Sequence, residues 1–205
     1  MNLANKLSFF RIILAPVFFA VYQLPNWVPS WFSGGAVWTV PVLWLIFIIS
    51  EITDLLDGMA ARKLNLTTDL GKLLDPFADT IMQITCFLCF VMDGYFPSIL
   101  FLIIIYREFA VLLLRNLMLK KGAAMGASMT GKIKTVLYIV AAGVMLAAES
   151  LLRIGVVTNV GWTIFSVIYI NFFFGAKILL GIAVIFSIVS FIKYCLVYKK
   201  TVKND

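Results

Sequence analysis

Long apolar runs broken by short polar clusters set the reading of this chain. Apolar stretches at about 9–28, 36–60, 71–92, 98–119, 129–149 and 171–197 each suffice, at about 1.5 Å per helical residue, to cross about 30 Å of hydrocarbon. The pattern predicts an all-α integral membrane protein with six transmembrane helices. Ahead of the first, residues 2–10 alternate apolar with polar side chains, as expected of an amphipathic N-terminal interfacial helix. Trp27, Pro29, Trp31 and Phe32 mark an outer interface, and Gly34-Gly35 turns the chain. Asp93–Pro97 is expected as a second outer turn, and residues 150–170, with Arg153, Asn159 and Trp162, as a third connection.

Composition agrees. The 205 residues are 62% hydrophobic with mean hydropathy +1.02, which excludes a soluble domain. No linker, repeat or low-complexity tract divides residues 1–205, so one membrane domain is expected. The first apolar run lacks a small-residue cleavage site and is expected to be retained. Cys86, Cys89 and Cys195 are an odd set in apolar sequence, which suits packing and no disulfide framework.

The net charge of +7 is unevenly placed. Lys6 and Arg11, then Arg62, Lys63 and Lys72, then residues 115–134, and finally Lys193, Lys199, Lys200 and Lys203 carry the cations. The positive-inside rule puts these segments in the cytoplasm, and the basic tail suits an anionic inner leaflet. Cations dispersed over helix ends do not make a nucleic-acid surface. Arg11 stands early enough in its span to snorkel or to point inward.

The acids carry the chemistry. Four of only ten acidic residues are Asp54, Asp57, Asp75 and Asp79. The first two stand three apart and the last two four apart, so each pair shares a helix face. Between the pairs, Asn65, Thr67, Thr68 and Gly71 allow a turn joining two antiparallel helices. Four converging carboxylates would repel one another at low dielectric, and hard divalent cations relieve that conflict. Oxygen-only ligands suit magnesium, manganese or calcium, and a chain without histidine argues against zinc. Helix capping alone would not call for four acids on two facing stripes.

Further along, Arg107 and Glu108 sit near the middle of an apolar span and should face the bundle interior, as a structural pair or with one or both of Arg107 and Arg115 contacting substrate. Arg115 lies two turns beyond Arg107. Ser128, Thr130, Lys132 and Lys134 at the opening of the fifth span offer hydroxyls, cations and a helix N-terminus to a phosphate group. Gly131-Lys132 is only half of a P-loop and no strand precedes it, which excludes nucleoside triphosphate binding by that motif. Lys177 is expected to snorkel outward.

The acidic stretch resembles the signature of the CDP-alcohol phosphotransferases. Asp54, Asp57, Gly58, Ala61, Arg62, Gly71, Asp75 and Asp79 fill its eight positions with the matching gaps. The resemblance implies that Asp54, Asp57 and Asp75 ligate metal, two Mg2+ or Mn2+ ions in such enzymes, while Asp79 completes the metal site and acts as general base. It also implies that Gly58, Ala61, Arg62 and Gly71, with Asp54, Asp57 and Asp75, line the cytidine diphosphate pocket, and that the protein is a homodimer. Segments at residues 5–11, 107–109, 114–115 and 128–135 resemble those of the phosphatidylglycerophosphate synthases. That subgroup implies CDP-diacylglycerol as donor and sn-glycerol 3-phosphate as acceptor, its phosphate taken by Arg107, Arg115, Ser128, Lys132 and Lys134. The setting implied is a bacterial inner membrane with the site facing the cytoplasm. Thr80 departs from the subgroup, where a basic residue usually follows the last aspartate.

Two other readings use the same residues. The metal chemistry could serve another alcohol, such as inositol phosphate, serine or choline. A cation transporter could use intramembrane carboxylates, but its acids should be spread over membrane depth, whereas these four gather at one end.

Overall fold

The computed structural model describes residues 3–32, 36–64, 69–120, 129–158 and 162–203, and every regular element among them is helical. In chain order these are α1 (Leu3–Trp27), a short 3-10 turn (Pro29–Phe32), α2 (Thr39–Leu64), α3 (Asp69–Met92), α4 (Ser98–Lys120), α5 (Met129–Thr158) and α6 (Trp162–Lys203).

Large apolar side chains fill the bundle centre: Phe18 and Tyr22 of α1, Leu43 and Phe47 of α2, Met82, Phe87 and Phe90 of α3, Ile104 of α4, Tyr138 and Met145 of α5. Cys86 and Cys89 are buried in this core as free thiols, so packing is their role here. The outer surface inverts the pattern of a water-soluble protein. Ile13, Leu45, Leu113, Ile178, Ile185 and Leu196 are exposed, as lipid-facing side chains would be.

Among the described residues four helices are long and apolar enough to cross a membrane, within α1, α3, α5 and α6. The chain is thus an integral membrane protein. The other two carry charge inside their apolar runs: Glu51 and Asp54 in α2; Arg107, Glu108 and Arg115 in α4. The amphipathic lead-in is not a separate element, because α1 runs unbroken from Leu3 to Trp27.

One expected boundary is corrected. The outer connection is much shorter than residues 150–170: α5 continues to Thr158 and α6 begins at Trp162, well before residue 171. Polar side chains that suggested an exit from the membrane are absorbed by buried contacts. Ser150 Oγ donates to Leu146 O at 2.7 Å, and Trp44 Nε1 donates to Ser150 Oγ at 3.0 Å. Arg153 bonds Glu149 and Thr39, each at 2.7 Å, and the Tyr22 carbonyl at 3.0 Å. Tyr95 donates to Glu149 at 2.7 Å, and Tyr22 to Asp93 at 2.7 Å. This network ties α1, α2, α5 and the α3–α4 turn together at the end of the bundle opposite the acidic motif.

The α3–α4 turn forms as expected at residues 93–97. Gly94, with φ +73°, takes the left-handed position, while Tyr95 N–H donates to Phe90 O at 2.8 Å and Gly94 N–H to Val91 O at 3.0 Å, closing the helix. Gly34, Gly35, Asn65, Thr67, Thr68 and Asn159 lie outside the described residues.

Candidate active site

Helix α1 meets α3 in register at the end that carries the acids. Ser8 and Arg11 stand three apart on α1, Asp75 and Asp79 four apart on α3, so each pair presents one stripe. Ser8 Oγ donates to Asp75 Oδ1 at 2.5 Å, and Arg11 Nη1 donates to Asp79 Oδ1 one turn further along. The same nitrogen donates to Asp54 Oδ1 of α2 at 2.5 Å. Arg11 therefore points inward: its side chain is only 1% exposed, and it joins carboxylates from two other helices.

Two carboxylate oxygens on one guanidinium nitrogen converge on a single cationic position. That is the donor chemistry of a hard-cation site, all oxygen and negatively charged. Among the described residues no three carboxylates close on one point, since Asp75 is turned toward Ser8. Asp57 follows Asp54 by one turn of α2, but its side chain, like those of Ala61 and Arg62 and the surroundings of Gly58, lies outside the described residues. Gly71 is buried within the first turn of α3, and is not part of a preceding loop.

Next to the aspartates lies a pocket of about 150 Å³. Asp79, Thr80 and Gln83 form its α3 wall, Arg107, Glu108 and Arg115 its α4 wall, Lys132, Lys134 and Thr135 its α5 wall, and Tyr194 closes it from α6. The structure thus gathers four expected anion ligands, Arg107, Arg115, Lys132 and Lys134, around one cavity that Asp79 also borders. Ser128 lies outside the described residues.

Glu108 organises these cations. Arg107 Nη1 donates to both its carboxylate oxygens, at 2.8 and 2.9 Å, and Lys134 Nζ donates at 2.7 Å. Arg107 Nε also holds the Ser187 carbonyl of α6 at 3.0 Å. All three charged groups are buried, so the net charge of the trio is one positive unit in a low-dielectric setting. Arg115 lies over the Tyr194 ring at 5.4 Å and donates to its hydroxyl at 3.1 Å, while its Nε has no protein partner among the described residues. Lys134 also sits 4.7 Å from the Tyr138 ring centre. The structural pair and the anion-facing wall expected of Arg107 and Glu108 are therefore the same arrangement. Thr80, in place of a basic residue, turns its hydroxyl back onto Pro76 O at 2.8 Å.

Several participants lie outside the eight-position motif. Glu51 stands one turn before Asp54 and lines a small cavity with Arg11, Asp54, Asp79 and Gln83. Its i−3 spacing from Asp54 was a signal in the sequence. Ser8 and Gln83 gave none, since single polar residues in apolar helices have no periodic partner. Lys177 lies away from the site, its Nζ 4.0 Å from the Phe173 ring centre.

Half-buried aspartates drawn together by a buried arginine, beside a cationic pocket in a helical membrane bundle, suit an anionic substrate. The chain belongs to the CDP-alcohol phosphatidyltransferase family, whose model matches residues 1–189. It is 40% identical over 140 residues to the CDP-diacylglycerol–glycerol-3-phosphate 3-phosphatidyltransferase of Treponema pallidum, covering 67% of this chain. The match spans 65% of the Treponema protein, slightly under two thirds of its length. It is 37% identical over 155 residues to the Bacillus subtilis protein of that name, covering 71% of this chain and 76% of the relative. A probable phosphatidylglycerophosphate synthase of Mycobacterium tuberculosis is 33% identical over 147 residues, covering 71% of this chain and 66% of the relative.

Proposed function

We propose that this protein transfers the phosphatidyl group of CDP-diacylglycerol to sn-glycerol 3-phosphate, releasing CMP and forming phosphatidylglycerophosphate for phospholipid biosynthesis. The observation that carries this reading is the single pocket bordered by Asp79 and by Arg107, Arg115, Lys132 and Lys134. A dianionic acceptor placed against those cations sets its free hydroxyl toward Asp79. Choline would bring a further positive charge to that net-positive wall, and serine only one carboxylate accompanied by its own ammonium.

Asp79 takes the proton of the acceptor hydroxyl as general base. The oxygen attacks the phosphorus that carries diacylglycerol, and CMP departs with the bonding electrons. Asp54, Asp57, Asp75 and Asp79 would hold two Mg2+ or Mn2+ ions, which when bound neutralise the diphosphate and stabilise the departing CMP. Gly58, Ala61, Arg62 and Gly71, with Asp54, Asp57 and Asp75, line the cytidine diphosphate pocket; Ser128 joins the acceptor-phosphate ligands. Arg11 keeps Asp54 and Asp79 drawn together by standing where a cation would, and Ser8 holds Asp75, so receiving cations would displace these contacts.

The chain forms one domain with six membrane crossings. The first turns of α1 lie at the interface, and the site faces the cytoplasm from a bacterial inner membrane. The working unit is a homodimer. Clustered cations at the helix ends near the acids support this orientation.

The test is an acceptor screen. Purified protein with CDP-diacylglycerol and Mg2+ should release CMP with glycerol 3-phosphate and much less with serine, choline or inositol phosphate. Preference for one of the other three would overturn the acceptor assignment while keeping the reaction class.

A further inference from the structure

Gln83 lies on α3 one turn beyond Asp79, on the same face. It lines the basic pocket, the cavity of about 20 Å³ that holds Arg11, Asp54 and Asp79, and a cavity of about 10 Å³ behind Glu51. Among the described residues it is the one side chain that borders all three.

Its hydrogen bonding sets it apart from its neighbours. The hydroxyls of Thr80, Thr85 and Thr135 each donate back to a carbonyl of their own helix, at 2.8, 2.8 and 3.2 Å. The Gln83 amide makes no hydrogen bond with any described residue. Gln83 is half-buried, and a primary amide in an apolar bundle is destabilising unless something satisfies it. Its partners must therefore enter the cavities, and those cavities lead to the reacting carboxylate.

The position decides what those partners are. On one side stand the cations that hold the acceptor's phosphate; on the other stands Asp79, which receives the proton of the attacking hydroxyl. In a three-carbon phosphorylated acceptor, the remaining hydroxyl lies between these two anchors. A hydroxyl both donates and accepts, and a carboxamide is an uncharged side chain that can answer both functions. We propose that Gln83 binds the middle hydroxyl of the acceptor and so sets acceptor specificity, an inference that rests on the reaction proposed above.

The experiment compares two acceptors in the full-length protein in lipid nanodiscs: sn-glycerol 3-phosphate and 3-hydroxypropyl phosphate, which keeps the phosphate and the terminal hydroxyl but lacks the middle one. The wild type should prefer glycerol 3-phosphate by about 10- to 100-fold in kcat/KM. Gln83→Leu and Gln83→Met should both collapse that ratio toward unity, chiefly by losing glycerol 3-phosphate turnover. Because the ratio is independent of how much protein is folded, a purely structural defect would lower both acceptors together and leave the ratio intact. That outcome, or a wild type indifferent to the middle hydroxyl, overturns the role of Gln83 alone. A wild type that turns over neither acceptor, yet releases CMP with another alcohol, overturns the reaction reading and this inference together.

Discussion

Arg11 Nη1 donates to Asp54 Oδ1 at 2.5 Å, from a side chain that is only 1% exposed. With the second bond to Asp79, a buried guanidinium occupies the focus of the acidic motif. Removing one partner of a buried pair typically costs about 3–5 kcal/mol. Here the cost should be lower, about 1–3 kcal/mol, because Asp54 and Asp79 are 43% and 34% exposed and water screens them. The Arg11→Gln variant should therefore melt earlier in EDTA, and Mg2+ should recover much of the difference. Thermal unfolding in detergent with and without Mg2+ checks this; equal loss in both conditions would deny that Arg11 and a metal ion answer the same charge.

Ser8 and Asp79 should differ sharply in kinetic weight. Asp79→Asn removes the proton acceptor and should lower CMP release by about 100-fold or more. Ser8→Ala removes one hydrogen bond to Asp75, worth about 1 kcal/mol, and should cost about fivefold. Initial rates of CMP release at saturating Mg2+ separate the two.

Glu108 holds Arg107 and Lys134 at once and offsets one of their two charges, so its loss should be structural as well as functional. The Glu108→Leu variant leaves two buried cations facing one another and should lose about 3–5 kcal/mol. Adding Arg107→Leu to it should restore part of that stability while leaving acceptor turnover impaired. A double-mutant cycle followed by thermal unfolding measures the coupling.

At the opposite end, burial raises the Asp93 carboxyl above its ordinary range, partly offset by the Tyr22 hydroxyl that donates to it. The sign follows from the charged form being disfavoured in the folded state. No penalty exists below the unfolded carboxylate value of about 4, and it grows as pH rises from there to the raised folded value. Asp93→Asn should therefore remove a loss of stability with rising pH and leave acceptor KM unchanged. Unfolding midpoints between pH 4 and 8, compared with the wild type, check this.

The acidic motif was legible because its residues combine two periodic stripes with a rare residue type in an apolar chain. Four cations of the pocket were legible on other grounds: Arg107 and Arg115 are charges inside an apolar span, and Lys132 and Lys134 open a helix. Arg11 was not, since one arginine at the start of an apolar helix is equally compatible with snorkelling, and only the partner helices decide. The end of α5 extends past its expected limit because Arg153 looks like an exit from lipid, whereas Glu149 one turn earlier, and Thr39 and Tyr22 from distant parts of the chain, supply it with buried partners. Gln83 lacked any local signature, because its meaning comes from the cavities it borders.

The most direct measurement follows radiolabelled sn-glycerol 3-phosphate into chloroform-extractable lipid, with purified protein, CDP-diacylglycerol and Mg2+, beside the Asp79→Asn variant. The account predicts labelled phosphatidylglycerophosphate in step with CMP release from the wild type, and near-background signal from the variant. Label remaining wholly in the aqueous phase, or incorporation undiminished in Asp79→Asn, would contradict it.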